Sequence, residues 1–91
     1  MPRRRRWTER SCDAPGHLEL GGWTVIFDAP HTGTLPYVFT EVVDGCGQVH
    51  RRLLEPGVDL LVHGDVLRVR RIAEDAVVFR TASTSDVAQV A

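Results

Sequence analysis

Between residues 18 and 81, Gly, Pro and Asp interrupt the chain at intervals of about 8–12 residues, and short segments rich in β-branched and aromatic side chains lie between them. This spacing is the tightest constraint on the fold. A segment of that length crosses a sheet once and must then turn back. No segment carries a helical repeat over three turns. The segments are Leu18–Leu20 running through Gly21-Gly22 into Trp23–Asp28, Tyr37–Val43, Gln48–Leu54, Val58–His63, Val66–Ile72 and Ala76–Thr81. Trp23, Val25 and Phe27 share one face of their segment, and Val58, Leu60 and Val62 share one face of theirs. The expectation is an all-β domain of five to six short antiparallel strands. It is a small barrel, SH3-like or related, or else a small sandwich, because closing or stacking a sheet deals best with its edges at this size. Trp23, Phe27, Tyr37, Phe39 and Phe79 are placed in the core.

The turns sharpen this reading. Asp44-Gly45 is a short hairpin signal. The string Leu60-Leu61-Val62-His63-Gly64-Asp65-Val66-Leu67-Arg68-Val69 resembles the glycine–aspartate box found in several small-barrel families. The resemblance covers ten residues and implies a small barrel but no particular function. At the last hairpin, a two-residue loop Glu74-Asp75 would mix core and solvent faces, because Leu67 and Val69 would share a face with Val78 and Arg80. A three-residue loop Glu74-Asp75-Ala76 pairs Val69 with Thr81, Arg71 with Phe79 and Ala73 with Val77. It sets Leu67, Val69, Val77 and Phe79 on one face, and Arg68, Arg70 and Arg80 on the other with Ile72 and Val78. The three-residue loop is therefore expected.

Charge divides the chain differently. All 11 basic residues are Arg, and Lys and Asn are absent. This composition fits a GC-rich coding bias, of a bacterium or of a virus infecting one, so Arg in place of Lys carries no chemical message. Residues 1–10 hold five Arg and one Glu, a charge of +4; residues 11–91 hold six Arg and eleven acids, a charge of −5. Residues 1–17 contain Pro2, Pro15 and Gly16 without periodicity and read as a basic arm. Residues 18–81 read as the β-domain, and 82–91 as a C-terminal tail. Removing residues 1–10 is expected to leave the fold intact. No apolar run approaches a membrane span, and no apolar stretch follows Arg3–Arg6 as a secretory leader requires. A cytoplasmic protein or a virion component is expected, with Cys12 and Cys46 as reduced thiols.

Three chemistries compete for these residues. Arg3, Arg4, Arg5 and Arg6 beside Trp7, with Arg68, Arg70 and Arg80 on a second basic face, could neutralise a polyanion and stack on a base. The same Arg residues could pair with nearby acids or with a protein partner. His17, His31, His50 and His63 with Cys12 and Cys46 suggest a small zinc module, but Cys12-x4-His17 and Cys46-x3-His50 are poor ligand spacings and one of these halves falls in the arm, so His50 and His63 read instead as strand-end or surface histidines. Cys46 four positions before His50 resembles a nucleophile near a base, without a pocket for a substrate. No catalytic residue, metal ligand, cofactor or small-molecule substrate is expected. The leading expectation is a non-enzymatic protein-interaction or assembly module. It would join a larger complex, of a virion or phage kind by analogy of fold, through its tails and strand edges. A nucleic-acid-binding barrel that uses the arginine arm is the alternative.

Overall fold

A computed structural model describes residues 6–83, and turn-forming residues divide it into eight strands. These are β1 (Thr8–Asp13), β2 (Gly16–Leu20), β3 (Trp23–Phe27), β4 (Val38–Val43), β5 (Val49–Leu54), β6 (Asp59–Val62), β7 (Asp65–Ile72) and β8 (Ala76–Ser83). They form two antiparallel four-stranded sheets, ordered β1-β8-β7-β6 and β2-β3-β4-β5. Neither order closes on itself, so β1, β6, β2 and β5 are edge strands. Among the described residues no helix is long and apolar enough to cross a membrane.

The all-β expectation holds, but two strands more are present than the upper estimate. Gly21-Gly22 does not interrupt one strand. It turns β2 back onto β3 with Leu20 opposite Trp23, and Gly21 takes the left-handed φ of 58° that glycine supplies at little cost. The second addition is β1, which lies inside the expected arm. Its residues pair with β8 from Thr8 opposite Thr81 to Asp13 opposite Ala76. An edge strand with only Cys12 buried shows no hydrophobic alternation, so its sequence resembles a loop. Removal of residues 1–10 would therefore strip Thr8–Arg10 from β8, contrary to the expectation above. At the other end, Ala82 and Ser83 continue β8 and do not begin a tail; residues 1–5, with Arg3, Arg4 and Arg5, and residues 84–91 lie outside the described part.

Pro15 and Gly16, read as loop breakers, instead build the corner that carries the chain from one sheet to the other. Ala14 is buried there and its amide donates to the Asp75 carbonyl at 3.0 Å. A Cβ on Gly16 would lie 2.5 Å from the Asp13 carbonyl oxygen, so only glycine fits without a backbone shift. Gly16→Ala is expected to cost about 1–3 kcal/mol, as overpacking does. Urea denaturation measures it, and an unchanged midpoint would mean that this corner is looser than described.

The core lies between the sheets. Phe27 of β3 and Phe79 of β8 meet there, with ring centroids 5.3 Å apart and planes tilted by 57°. Around them, Val25, Val38, Val42 and Leu54 come from one sheet, and Leu67, Val69 and Val77 from the other. Phe39 departs from expectation: it is 56% exposed. Along β4, Val38, Thr40 and Val42 point inward, while Phe39, Glu41 and Val43 take the outer face. The Thr40 hydroxyl donates to the Val38 carbonyl at 3.4 Å, so its burial leaves no polar group unpaired.

The last hairpin departs as well. Ile72 pairs with Val77 and Arg71 with Val78, which is the register of the two-residue loop; the Ala73 amide donates to the Ala76 carbonyl at 2.8 Å. A β-bulge at Arg70 then moves the pairing by one residue, so Val69 faces Phe79 and Leu67 faces Thr81. The bulge resolves the conflict that the three-residue loop was expected to resolve. Arg70 and Arg71 both point to solvent, and Ile72 packs against the core instead of standing among the arginines.

Candidate functional site

The second basic face forms, but its guanidinium groups are already engaged. Arg68 donates from Nε to Asp59 Oδ1 at 2.6 Å and from Nη2 to Oδ2 at 3.1 Å, the bidentate geometry that suits a carboxylate best. The Asp59 hydrogen bond, chiefly, pushes the Arg68 pKa further up. Trp7 stacks on the same guanidinium, with its ring centroid 4.7 Å from Cζ. Arg80 and Arg70 both reach Glu9 Oε1, at 3.2 and 3.5 Å. Glu9 stands opposite Arg80 on β1, so the strand read as part of the arm supplies the neutralising acid. Arg6 is exposed at the edge of the described chain.

The outer face of the other sheet has a different character. Phe39 pairs with Leu53 across β4 and β5, and Val43 pairs with Val49. Glu41 and Arg51 stand between these pairs and form a 2.7 Å ion pair. Phe39, Val49 and Leu53 are exposed, and Leu35 in the loop before β4 is exposed beside them in sequence. Tyr37 packs edge-on to Phe39 at 6.4 Å, and its other neighbour, the His31 ring, stacks on it at 4.6 Å. The pattern across β4 and β5 is therefore an apolar pair, an ion pair and a second apolar pair, ending at the open edge of β5. The edge strands of the opposite flank differ: β1 exposes Glu9 and Arg10, and β2 exposes His17 and Glu19.

A third feature closes one end of the molecule. Asp44 follows β4, and its side chain is 2% exposed. Its Oδ1 accepts the amides of Cys46 at 2.9 Å and Gln48 at 3.0 Å, which fixes the β4–β5 turn. Its Oδ2 points to two imidazoles, His50 Nε2 at 2.9 Å and His63 Nε2 at 2.7 Å. These bonds hold the carboxyl far below its usual range; His50 contributes most, and burial opposes the shift in part. His50 stands opposite the buried Val42, on the core side of β5. His63 comes from the β6–β7 turn of the other sheet and takes a left-handed φ of 54°. That conformation is costly for a residue other than glycine.

Of the zinc set considered from sequence, only His50 and His63 come together, and they do so at Asp44 without either cysteine. Cys12 is buried in the core and its thiol donates to the Asp13 carbonyl at 3.2 Å, while burial and then the Asp13 charge push its pKa up. Cys46 is exposed, and both cysteines are free. Among the described residues, the one group of three ligand-bearing side chains close enough to share an ion is Asp44, His50 and His63. From the sequence, His50 and His63 belong to the wider histidine and cysteine set but read as strand-end or surface residues, and Asp44 reads as part of a turn. The Asp-Gly turn was the only usable signal.

Two recesses complete the surface. An open groove of about 450 Å³ lies at the end near Gly21-Gly22, with Arg6, Trp23, Asp65 and Ser83 among its walls and neither Cys nor His. A smaller recess on the outer face is bounded by Ile26, Asp28, Phe39 and Arg51. Comparison with family models, curated proteins and solved structures finds no match.

Proposed function

We propose that this chain is a non-enzymatic association module, an open sandwich of two sheets that docks onto a second copy of itself through the outer face of β4 and β5. One observation carries the reading: three exposed large apolar side chains, Phe39, Val49 and Leu53, lie together on this face. Water-exposed apolar side chains gathered on one sheet face beside an open edge are what an interface leaves when its partner is removed. The pattern also suits a two-fold partner. An isologous contact needs a self-complementary surface. Here one copy lays apolar pairs on apolar pairs, and Glu41 and Arg51 can exchange partners across the contact. A virion-type assembly is one setting for such a module, by analogy of fold only. The nucleic-acid alternative has less support, since Arg68, Arg70 and Arg80 each already meet a carboxylate.

The double variant Phe39→Thr/Leu53→Thr tests this reading. Threonine retains the β preference and removes the apolar contact. Light scattering on the full chain is expected to give an oligomer for the natural sequence and a single-chain mass for the variant, with both melting within a few degrees of each other. A monomeric natural chain, or a variant that associates as strongly, overturns the proposal.

A further inference from the structure

We infer that Asp44, His50 and His63 form a binding site for a borderline divalent cation, Zn²⁺ foremost, in which two imidazole nitrogens and one carboxylate oxygen act as ligands. The site is separate from the docking face and does not depend on the association proposed above. Asp44 Oδ2, His50 Nε2 and His63 Nε2 all lie within 4.8 Å of one another. A tetrahedral Zn²⁺ with bonds of about 2.0–2.1 Å needs ligand atoms roughly 3.4 Å apart. The Nε2–Oδ2 distances of 2.9 and 2.7 Å are shorter than that, so each ligand moves outward by less than about 1 Å to admit the ion. Each ring ligates through Nε2 as the neutral tautomer that keeps its one proton on Nδ1, and any proton held between Nε2 and Oδ2 is released to solvent when the ion binds.

The surroundings favour a site over an incidental knot of hydrogen bonds. The carboxylate is held in advance: Oδ1 is occupied by two backbone amides, which leaves Oδ2 aimed at the imidazoles. The ligands come from both sheets, Asp44 from the β4–β5 turn and His50 from β5 in one and His63 from the β6–β7 turn in the other, so the ion would clamp the two sheets together. His63 keeps a left-handed backbone in a turn where Gly64 follows immediately, so an imidazole stands where glycine is the easier residue. The side chain of His63 is 61% exposed, which leaves an entry route and room for water as a fourth ligand. Nitrogen and oxygen donors of this kind suit Zn²⁺ and Co²⁺ and give little hold on Ca²⁺ or Mg²⁺.

The test uses the full chain after treatment with chelator. Zn²⁺ is titrated by calorimetry and Co²⁺ by visible absorption, and the imidazole nitrogens are followed by NMR. One ion per chain is expected, with the Nε2 resonances of His50 and His63 shifting together. His63→Asn keeps the turn, because asparagine tolerates the left-handed region, and is expected to weaken binding at least tenfold. Cys46→Ala is expected to change affinity by less than about twofold, since its thiol is not among the ligands. The inference is overturned if no stoichiometric binding occurs, if His63→Asn binds as tightly as the natural chain, or if Cys46→Ala abolishes binding. The NMR shifts report on the unaltered chain, so they decide the question even if a variant fails to fold.

Discussion

Replacing Phe79 by alanine is expected to lower stability by about 3–5 kcal/mol, the cost of removing a buried phenylalanine. A domain of this length holds only about 5–14 kcal/mol in total. The change would lower the melting temperature by roughly 15–30 °C. The size follows from position. Phe79 is fully buried on β8, an inner strand of its sheet, and its ring meets Phe27 on β3, an inner strand of the other. Truncation opens a cavity between the sheets that neither can close alone. Phe39→Ala provides the contrast within the same residue type. Phe39 is exposed, so that variant should lose about 0.5 kcal/mol or less while weakening association. Calorimetric melting at low protein concentration separates the two. A Phe79→Ala loss below about 1 kcal/mol would show that the sheets do not share one core.

The second large effect concerns the bulge. Deleting Arg70 is expected to cost about 1 kcal/mol or less, because Arg71 then faces Val78 alone and Ile72 stays opposite Val77. Deleting Val78 from the facing strand is expected to cost roughly 3–6 kcal/mol, because either Val77 with Ile72 or Phe79 with Val69 must then leave the core. Both variants lose one residue within the same few ångströms, so composition and loop length do not separate them. Chemical denaturation of the pair checks the account. Equal losses would place the register elsewhere.

Much of the fold was legible because turn chemistry is local. Asp44-Gly45 and Gly64 mark turns that the structure also places between strands, β4 and β5 at the first and β6 and β7 at the second. The face of a strand was legible only where one alternation was more apolar than the other. In β6, Leu60 and Val62 turn inward and Leu61 outward, as the spacing predicts. In β4 each face offers two apolar residues and one polar one, so the sequence alone leaves Phe39 undecided; packing placed Thr40 inside. The edge strand β1 gave no signal, since a strand with one buried residue has no period. The bulge escaped because pairing arguments assume one residue opposite one residue.

The candidate sites divide in the same way. The basic residues were visible as charges, but their neutralisation by Glu9 and Asp59 depends on strand pairing. The cluster of Asp44, His50 and His63 depends on two turns from separate sheets meeting at one end. No spacing along the chain encodes that meeting. The sequence offers only the near pair of Cys46 and His50, which is set aside there for want of a pocket and which the fold does not use as a unit.

The central claim, association through the outer face of β4 and β5, is tested most directly by the solution mass of the natural chain. Light scattering would be run at about 50 mM and about 500 mM salt, with and without a short oligonucleotide. Apolar docking predicts a defined oligomer that persists at the higher salt and ignores the oligonucleotide. A single-chain mass that rises only with oligonucleotide, and only at the lower salt, would contradict it and make the arginine arm the functional element.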